Sequence, residues 1–453
     1  LAQSWSASAD QRSWTFALKP GLRFHNGAAC DAAAVRFSFE RAAAEGSLNK
    51  DRRVFANMLS IATPDPLTVR LQLKHPEPDL PALLGQATAV IVEPGSAAGN
   101  AQNPVGTGPY RLAQWQRGAS LTLVAWPGYR EAARVRIPRV QVRFISEPAA
   151  QVAALLAGDV DAFPRVAAAR SLSQFKAQPQ RFQVIVAGSR AKTILAINHQ
   201  KPPLGDVRVR RAIAMGVDLE QEIRQPRRGQ AIPAQGIISP GVTGYSKSFK
   251  SEMSQFDRAR AKALLDLYGY VDKDGDGWRD LPDGSPLVLD YATQPDGQNR
   301  QLAELWQKNM DALNIRIRFK IAKWPENLKA ANAGKLMMWG MGWSADIPDG
   351  ENFLGLGFGG SKGQSNKARF DLPEYNALYK QQHAMPDGPE RLAVMDRAQR
   401  LLVAYMPYKV HVHRIFTDLT QPWVLGYDKH LYQRDFWTYV DIDQAALQRA
   451  LKP

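Results

Sequence analysis

Val140-Gln141-Val142-Arg143-Phe144-Ile145, a helix-forming run at Ala149–Leu156, and Gly158-Asp159-Val160-Asp161-Ala162 follow one another without a break. The first piece has the two-residue alternation of a half-buried strand. The second is Ala- and Leu-rich and lacks breakers, which predicts a helix. The third resumes an extended path after a glycine stop. Strand, helix and strand in that order predict an α/β architecture.

Working outward, the same signals recur. Upstream, Trp14–Leu18, Leu67–Leu73 and Leu121–Trp126 read as strands. Asp31 is placed as the N-cap of a helix with Val35, Phe39 and Ala42 on one face. Gly95–Pro109, rich in Gly, Ala, Asn and Pro, reads as a connection between subdomains. Downstream, Asp206 caps a helix through Val217, and Asp257 caps one that stops at Gly269. Leu302, Leu305, Trp306, Met310 and Leu313 form a helical stripe, and Ile315, Ile317, Phe319 and Ile321 alternate as a strand. Pro389 opens a helix with Leu392, Met395, Leu401 and Leu402 on one face, and Val410–Phe416 is a strand.

Composition sets the limits. A chain of 453 residues predicts two or three domains. Its 11 Trp, 13 Tyr and 17 Phe, within 45% hydrophobic residues, require a packed core. No run of about 18 apolar residues occurs, so no membrane-spanning helix is predicted. The single cysteine, Cys30, excludes an intramolecular disulfide framework and a Cys-rich metal site. The net charge of +15 invites a nucleic-acid reading, but its densest cluster, Arg224 with Arg227 and Arg228, is short and lacks interleaved aromatics. No nucleic-acid partner is expected. No Gly-x-Ser-x-Gly elbow, Walker loop, His-Glu-x-x-His or dinucleotide fingerprint occurs, so an enzyme is not expected either.

Seven segments stand together in order: Thr15–Gly27, Val105-Gly106-Thr107-Gly108-Pro109-Tyr110, Gly158–Asp161, Asn198 before Pro202-Pro203, Asp206–Ile213, Gly275-Asp276-Gly277-Trp278, and Gly342-Trp343-Ser344-Ala345-Asp346. This pattern resembles the peptide/nickel-type extracellular solute-binding proteins of ABC transporters, and the resemblance covers nearly the whole chain. It implies a two-lobed α/β fold of the periplasmic binding protein type II kind, with an inserted subdomain and a ligand cleft between the lobes. Residues 1–18, 106–205 and 412–453 would form lobe I, 19–105 the inserted subdomain, and 206–411 lobe II. The chain starts at Leu1 without Met and runs straight into a strand, so a signal peptide and early strands are expected to precede it.

The resemblance also implies the function and the site. The protein would be a monomeric periplasmic binding component, capturing a peptide-like solute and delivering it to an inner-membrane permease complex without a cofactor. Its ligand-binding residues would be Gly342, Trp343, Ser344 and Asp346, with Thr293 and Gln294 from the 291–297 loop. Asp346 would meet a ligand ammonium, Trp343 would wall the site, and the Gly342–Ser344 backbone would pair with an extended peptide. The alternative for Asp346 is that it only starts the turn at Pro348-Asp349-Gly350. Peptide-binding relatives of the dipeptide type carry an Arg in the loop that here reads Tyr291–Gly297 and has none. That departure favours a longer peptide, or a non-peptide solute such as haem or a nickel chelate.

Two other patterns carry chemistry. Asp272, Asp274, Asp276, Gly277, Asp280 and Asp283 fall at EF-hand positions, but position 12 is Asp, and Pro282 and Gly284 deny the second helix. An Asp/Gly turn is the preferred reading, and no metal is assigned. His411 and His413 share one face of a strand, where two structural histidines are favoured over a metal or haem contact. His25 reads as a structural hydrogen-bonder; His75, His199, His383 and His430 are isolated.

Overall fold

The computed structural model describes residues 1–45, 47, 52–164, 172–432 and 435–451. Leu1–Ile185 with Asp418–Pro453 form one compact unit, and Val186–Thr417 form the other. The chain changes units inside two strands, Gln183–Ile197 and Tyr408–Thr420, whereas the boundaries expected from sequence lie at 205/206 and 411/412.

In the first unit, the strands Ala2–Ala7, Ser13–Leu18, Thr68–Leu73 and Met58–Asp65 form an antiparallel sheet in that order. Residues 1–18, grouped by sequence with 106–205, thus share a sheet with 58–73. Alternation reveals a strand but not its hydrogen-bond partner. Asp31 accepts from the Ala34 N–H at 3.1 Å and opens the helix Ala32–Ala43. Val35 and Phe39 then pack against Phe16, Val69 and Leu71. The His25 ring accepts from the Gly106 N–H at 3.3 Å through Nδ1 and sits 3.1 Å from the Gly108 carbonyl through Nε2, so it ties two loops together.

The stretch 140–162 folds differently from a simple βαβ unit. The strand Arg139–Arg143 joins Tyr110–Gln116 and Ser120–Ala125 in an antiparallel sheet. After the helix Pro148–Leu156, the short strand Ala162–Phe163 pairs instead with Leu419 and Thr420. The parallel unit lies in the second body: strand Val288–Thr293, helix Gly297–Asp311 and strand Arg316–Ile321, with Val288 opposite Arg316 and Thr293 opposite Ile321. Burial explains the contrast. Arg139–Arg143 buries no residue fully, whereas the last three residues of Val288–Thr293 are all buried, as a covered parallel strand requires.

The sheet of the second unit runs Ala231–Pro233, Tyr408–Thr420, Gln183–Ile197, Met338–Ser344, Val288–Thr293, Arg316–Ile321. Asp206 caps the helix Val207–Met215 by accepting from the Arg208 N–H at 2.9 Å; the helix stops two residues short of the expected Val217. Arg210 on that helix is buried and donates to the carbonyls of Leu204, Gly205 and Tyr405 at 2.6–3.0 Å. It thereby satisfies the C-terminus of the helix Pro389–Tyr405. On that helix the expected face is corrected. Leu392 is 43% exposed, and Arg391, at 1%, takes the inward position beside Met395 and Leu402. Hydrophobic periodicity cannot reveal an inward arginine whose partners come from elsewhere in the chain.

Candidate functional site

Gly342, Trp343 and Ser344 end the strand Met338–Ser344, and Asp346 lies just beyond it. One edge of this strand pairs with Gln183–Ile197, with Gly342 opposite Thr193, Trp343 opposite Lys192, and Ser344 opposite Ala191. The other edge meets Val288–Thr293 only at Met338 and Trp339. Among the described residues, that second edge has no ladder partner from Gly340 onward. Thr293 closes the shorter neighbour and Gln294 follows it, so the two groups of sequence-predicted residues come off adjacent parallel strands.

Packing holds this segment in place. A Cβ at Gly340 would lie 2.3 Å from the Tyr291 hydroxyl, so only glycine lets the two strands approach here. The half-buried Trp343 donates its indole N–H to Asn352 Oδ1 at 2.9 Å, which fixes the ring. The buried Arg190 donates to the Ala345 carbonyl. Gly342 and Asp346 are exposed. Thr293 is buried, and its carbonyl accepts from the Ala322 N–H at 3.1 Å and the Asn327 amide at 2.8 Å. The Gln294 amide nitrogen is buried without a hydrogen-bond partner, a costly state for a donor unless a ligand or water meets it. Arg300 is exposed on the helix that follows.

Asp349 is a carboxylate that organises the turn after the strand. Asp349 accepts from the Glu351 N–H at 2.7 Å and receives both ends of the buried Arg391 guanidinium, at 2.5 and 3.0 Å. Arg391 also reaches Asp387 at 2.7 Å and both the carbonyl and the side chain of Gln382. Glu351 lies 2.9 Å from His383, which is therefore not isolated. Burial raises the Glu351 carboxyl pKa, but His383, Gln382 and Arg391 together outweigh it and the net direction is down.

His411 and His413 are both buried, yet their environments differ. His411 Nδ1 is 2.6 Å from Glu222, whose other oxygen accepts from Arg227 at 2.8 Å. Burial pushes the Glu222 carboxyl up, but His411 and Arg227 beside it prevail and hold it at about 2. Arg227, counted in sequence within a basic cluster, is thus a core ion-pair partner. Lys409 donates to the Met253 carbonyl, and burial pulls its amine down to about 7. His413 packs edge-on to Tyr245 at 5.9 Å, and its Nδ1 has no partner. Burial, then the Lys192 charge, pulls His413 down to about 2. Lys192 is itself fully buried and without a hydrogen-bond partner, over the Phe353 ring at 4.2 Å; burial lowers its pKa strongly.

The Asp272–Asp283 segment is a compact turn. Asp272 accepts from the N–H groups of Gly275 and Gly277, Asp276 from Trp278, and Asp283 from Ser285, at 2.7–2.9 Å. Asp272, Asp274 and Asp276 each offer an oxygen within 4.8 Å of the others, and Arg316 pairs with Asp276. Asp280 is buried and accepts from the Lys273 N–H at 2.8 Å, inside the turn. These carboxylates hold the turn's own amides.

Lys192, Glu222 and Arg391 escaped the sequence reading, and Asp349 entered it only as part of a turn. For Lys192 a signal existed, since Lys192–Ile197 leads directly into the recognised Asn198. One charged residue in a mostly apolar strand can face either way, and sequence does not say which.

The family described as bacterial extracellular solute-binding proteins, family 5 Middle, matches residues 1–365. A probable D,D-dipeptide-binding periplasmic protein of Escherichia coli K12 is 28% identical, over 89% of this chain and 76% of that one. Heme-binding protein A of Haemophilus influenzae is 26% identical, over 98% and 84%. Among solved structures, the periplasmic binding protein AgaA of A. tumefaciens R10, in complex with agropinic acid, superposes with a TM-score of 0.82 at 25% identity, over 98% of this chain and 89% of that one.

Proposed function

This chain belongs to the bacterial extracellular solute-binding proteins of family 5, and from that premise we propose that it captures a peptide-like solute at the Gly342–Asp346 segment. Membership carries the coarser function. The protein has the two-lobed α/β periplasmic binding protein fold and is the extracytoplasmic binding component of an ABC transport system. Its work is capture and release, not catalysis.

The observation that carries the finer reading is the strand edge open from Gly340 to Ser344, beside the unpartnered Gln294 amide. An extended backbone offers alternating N–H and C=O groups to such an edge, so it gains affinity without its side chains being read. Gln294 donates to a ligand carbonyl, Trp343 packs against the chain, and Asp346 meets its ammonium. A neutral amide here, and no Arg in 291–297, suit a ligand whose carboxylate is not held at this point.

The test is native mass spectrometry of protein purified without refolding. A ladder of short-peptide masses, lost in Asp346→Ala, supports the reading. A ladder that survives Asp346→Ala removes the ammonium anchor. A single haem, metal-chelate or other non-peptide mass replaces the peptide reading.

A further inference from the structure

The second unit holds a cavity of about 40 Å³, lined by none of Gly342–Asp346, between the Pro233–Phe249 loop and the strand carrying His413. That is room for about three waters, or one small polyatomic ion. His413, Tyr245, Lys247, Gln235 and Gln399 contribute its polar lining, and no carboxylate lines it.

The walls are built. Gln399 accepts from the Ile238 N–H and donates to the Gly244 carbonyl, each at 3.3 Å, pinning the loop at two points. Gln235 accepts from the Ser251 N–H at 3.0 Å and donates to Ser254 at 2.5 Å. Both amides are therefore engaged in holding the shape. A Cβ at Gly236 would lie 2.8 Å from Gln399, so this wall has no slack. His413 is different: it is 3% exposed, lines the cavity, and has a ring nitrogen without a hydrogen-bond partner.

The charged group in its lining and the charge acting on His413 are both lysines. Lys192, buried and also without a hydrogen-bond partner, acts on His413 from the neighbouring strand. Lys409 lies four residues before His413 on the same face of its strand, within reach of the Glu222 charge, and Lys247 is exposed on the lining loop. A buried ring nitrogen lacking a partner, in a cavity whose lining holds a lysine and no carboxylate, favours an anionic guest over water.

We propose that this cavity binds a small oxyanion, a carboxylate or phosphate group of about four or five heavy atoms, seated on His413 with Lys247 closing the electrostatic shell. The ion accepts from the His413 ring. None of the residues lining the cavity belongs to the Gly342–Asp346 segment or is Thr293 or Gln294.

The full chain, exchanged into phosphate-free chloride buffer, is titrated with inorganic phosphate and separately with acetate. The readout is the His413 imidazole signal in ¹⁵N-resolved NMR, assigned with His413→Gln. A saturable shift with a midpoint in the range of about 1 mM is expected for either ion. Lys247→Ala, a surface change that leaves the fold intact, should weaken binding by about two- to fivefold. Asp346→Ala should leave the midpoint unchanged, which separates failure here from failure of the solute site. A linear response up to about 50 mM, or a midpoint insensitive to Lys247→Ala, overturns the proposal and leaves a cavity filled by water. Response to phosphate but not acetate, or the reverse, supports it and identifies the ion geometry.

Discussion

Glu222→Gln is the sharpest stability test, because it removes one charge and almost no volume. Glu222 is fully buried between Arg227 at 2.8 Å and His411 at 2.6 Å. Its carboxyl is held at about 2 against an ordinary value of 4.5, a difference worth about 3 kcal/mol of folding stability at neutral pH. Breaking a buried pair costs about 3–5 kcal/mol by analogy, because the surviving Arg227 charge is stranded. The folded pKa is depressed, so the stabilisation is fully present above 4.5 and is lost as pH falls toward 2. The variant should therefore unfold earlier from pH 5 to 8, by roughly 6–12 °C for a unit of this size. The gap should close as pH falls below 4.5. Calorimetry with intrinsic fluorescence reads this, since the Trp306 ring sits 5.6 Å from the His411 ring. A variant within about 1 kcal/mol of the parent at pH 7 would refute the reasoning. So would a gap as large at pH 3 as at pH 7.

Three further predictions follow from buried polar groups. Arg391→Met should cost about 3–5 kcal/mol in urea unfolding, because it leaves Asp349 and Glu351 without their guanidinium partner. Gln294→Leu should leave the urea midpoint unchanged or raised, since the amide nitrogen it removes has no partner, while retention of co-purified solute falls about tenfold. Lys192→Met should raise the melting temperature, because a buried amine without a hydrogen-bond partner gives way to an apolar isostere. The same change should weaken phosphate binding at His413, and a lowered melting temperature would show that the amine is stabilised after all.

The proposed site is local in sequence. Gly342-Trp343-Ser344-Ala345-Asp346 is one contiguous segment, Thr293 ends the strand beside it, and Gln294 follows. What could not be read was which carboxylate holds the turn. Asp346 and Asp349 are three residues apart in chemically similar settings, and only Arg391, 42 residues further on, selects Asp349. Likewise the alternation at 140–145 announces a strand. Its placement in an antiparallel sheet, separate from Ala162–Phe163, depends on partners at Val140↔Leu123 and Phe163↔Leu419.

The amino-acid sequence by itself determined the α/β class, the capped helix starts at Asp31, Asp206 and Asp257, and the strands whose alternation lies within a few residues. Those signals are short-range: a cap meets an N–H two or three positions away, and a strand's faces alternate whatever it pairs with. Only the tertiary structure decided that Arg391, Glu222 and Lys192 lie inside and that Leu392 lies outside. It also decided that the Gly340–Ser344 edge stays open and that His413 faces a cavity. A charge is buried only when distant segments supply, or conspicuously fail to supply, its partner, and that information exists in no window of the chain.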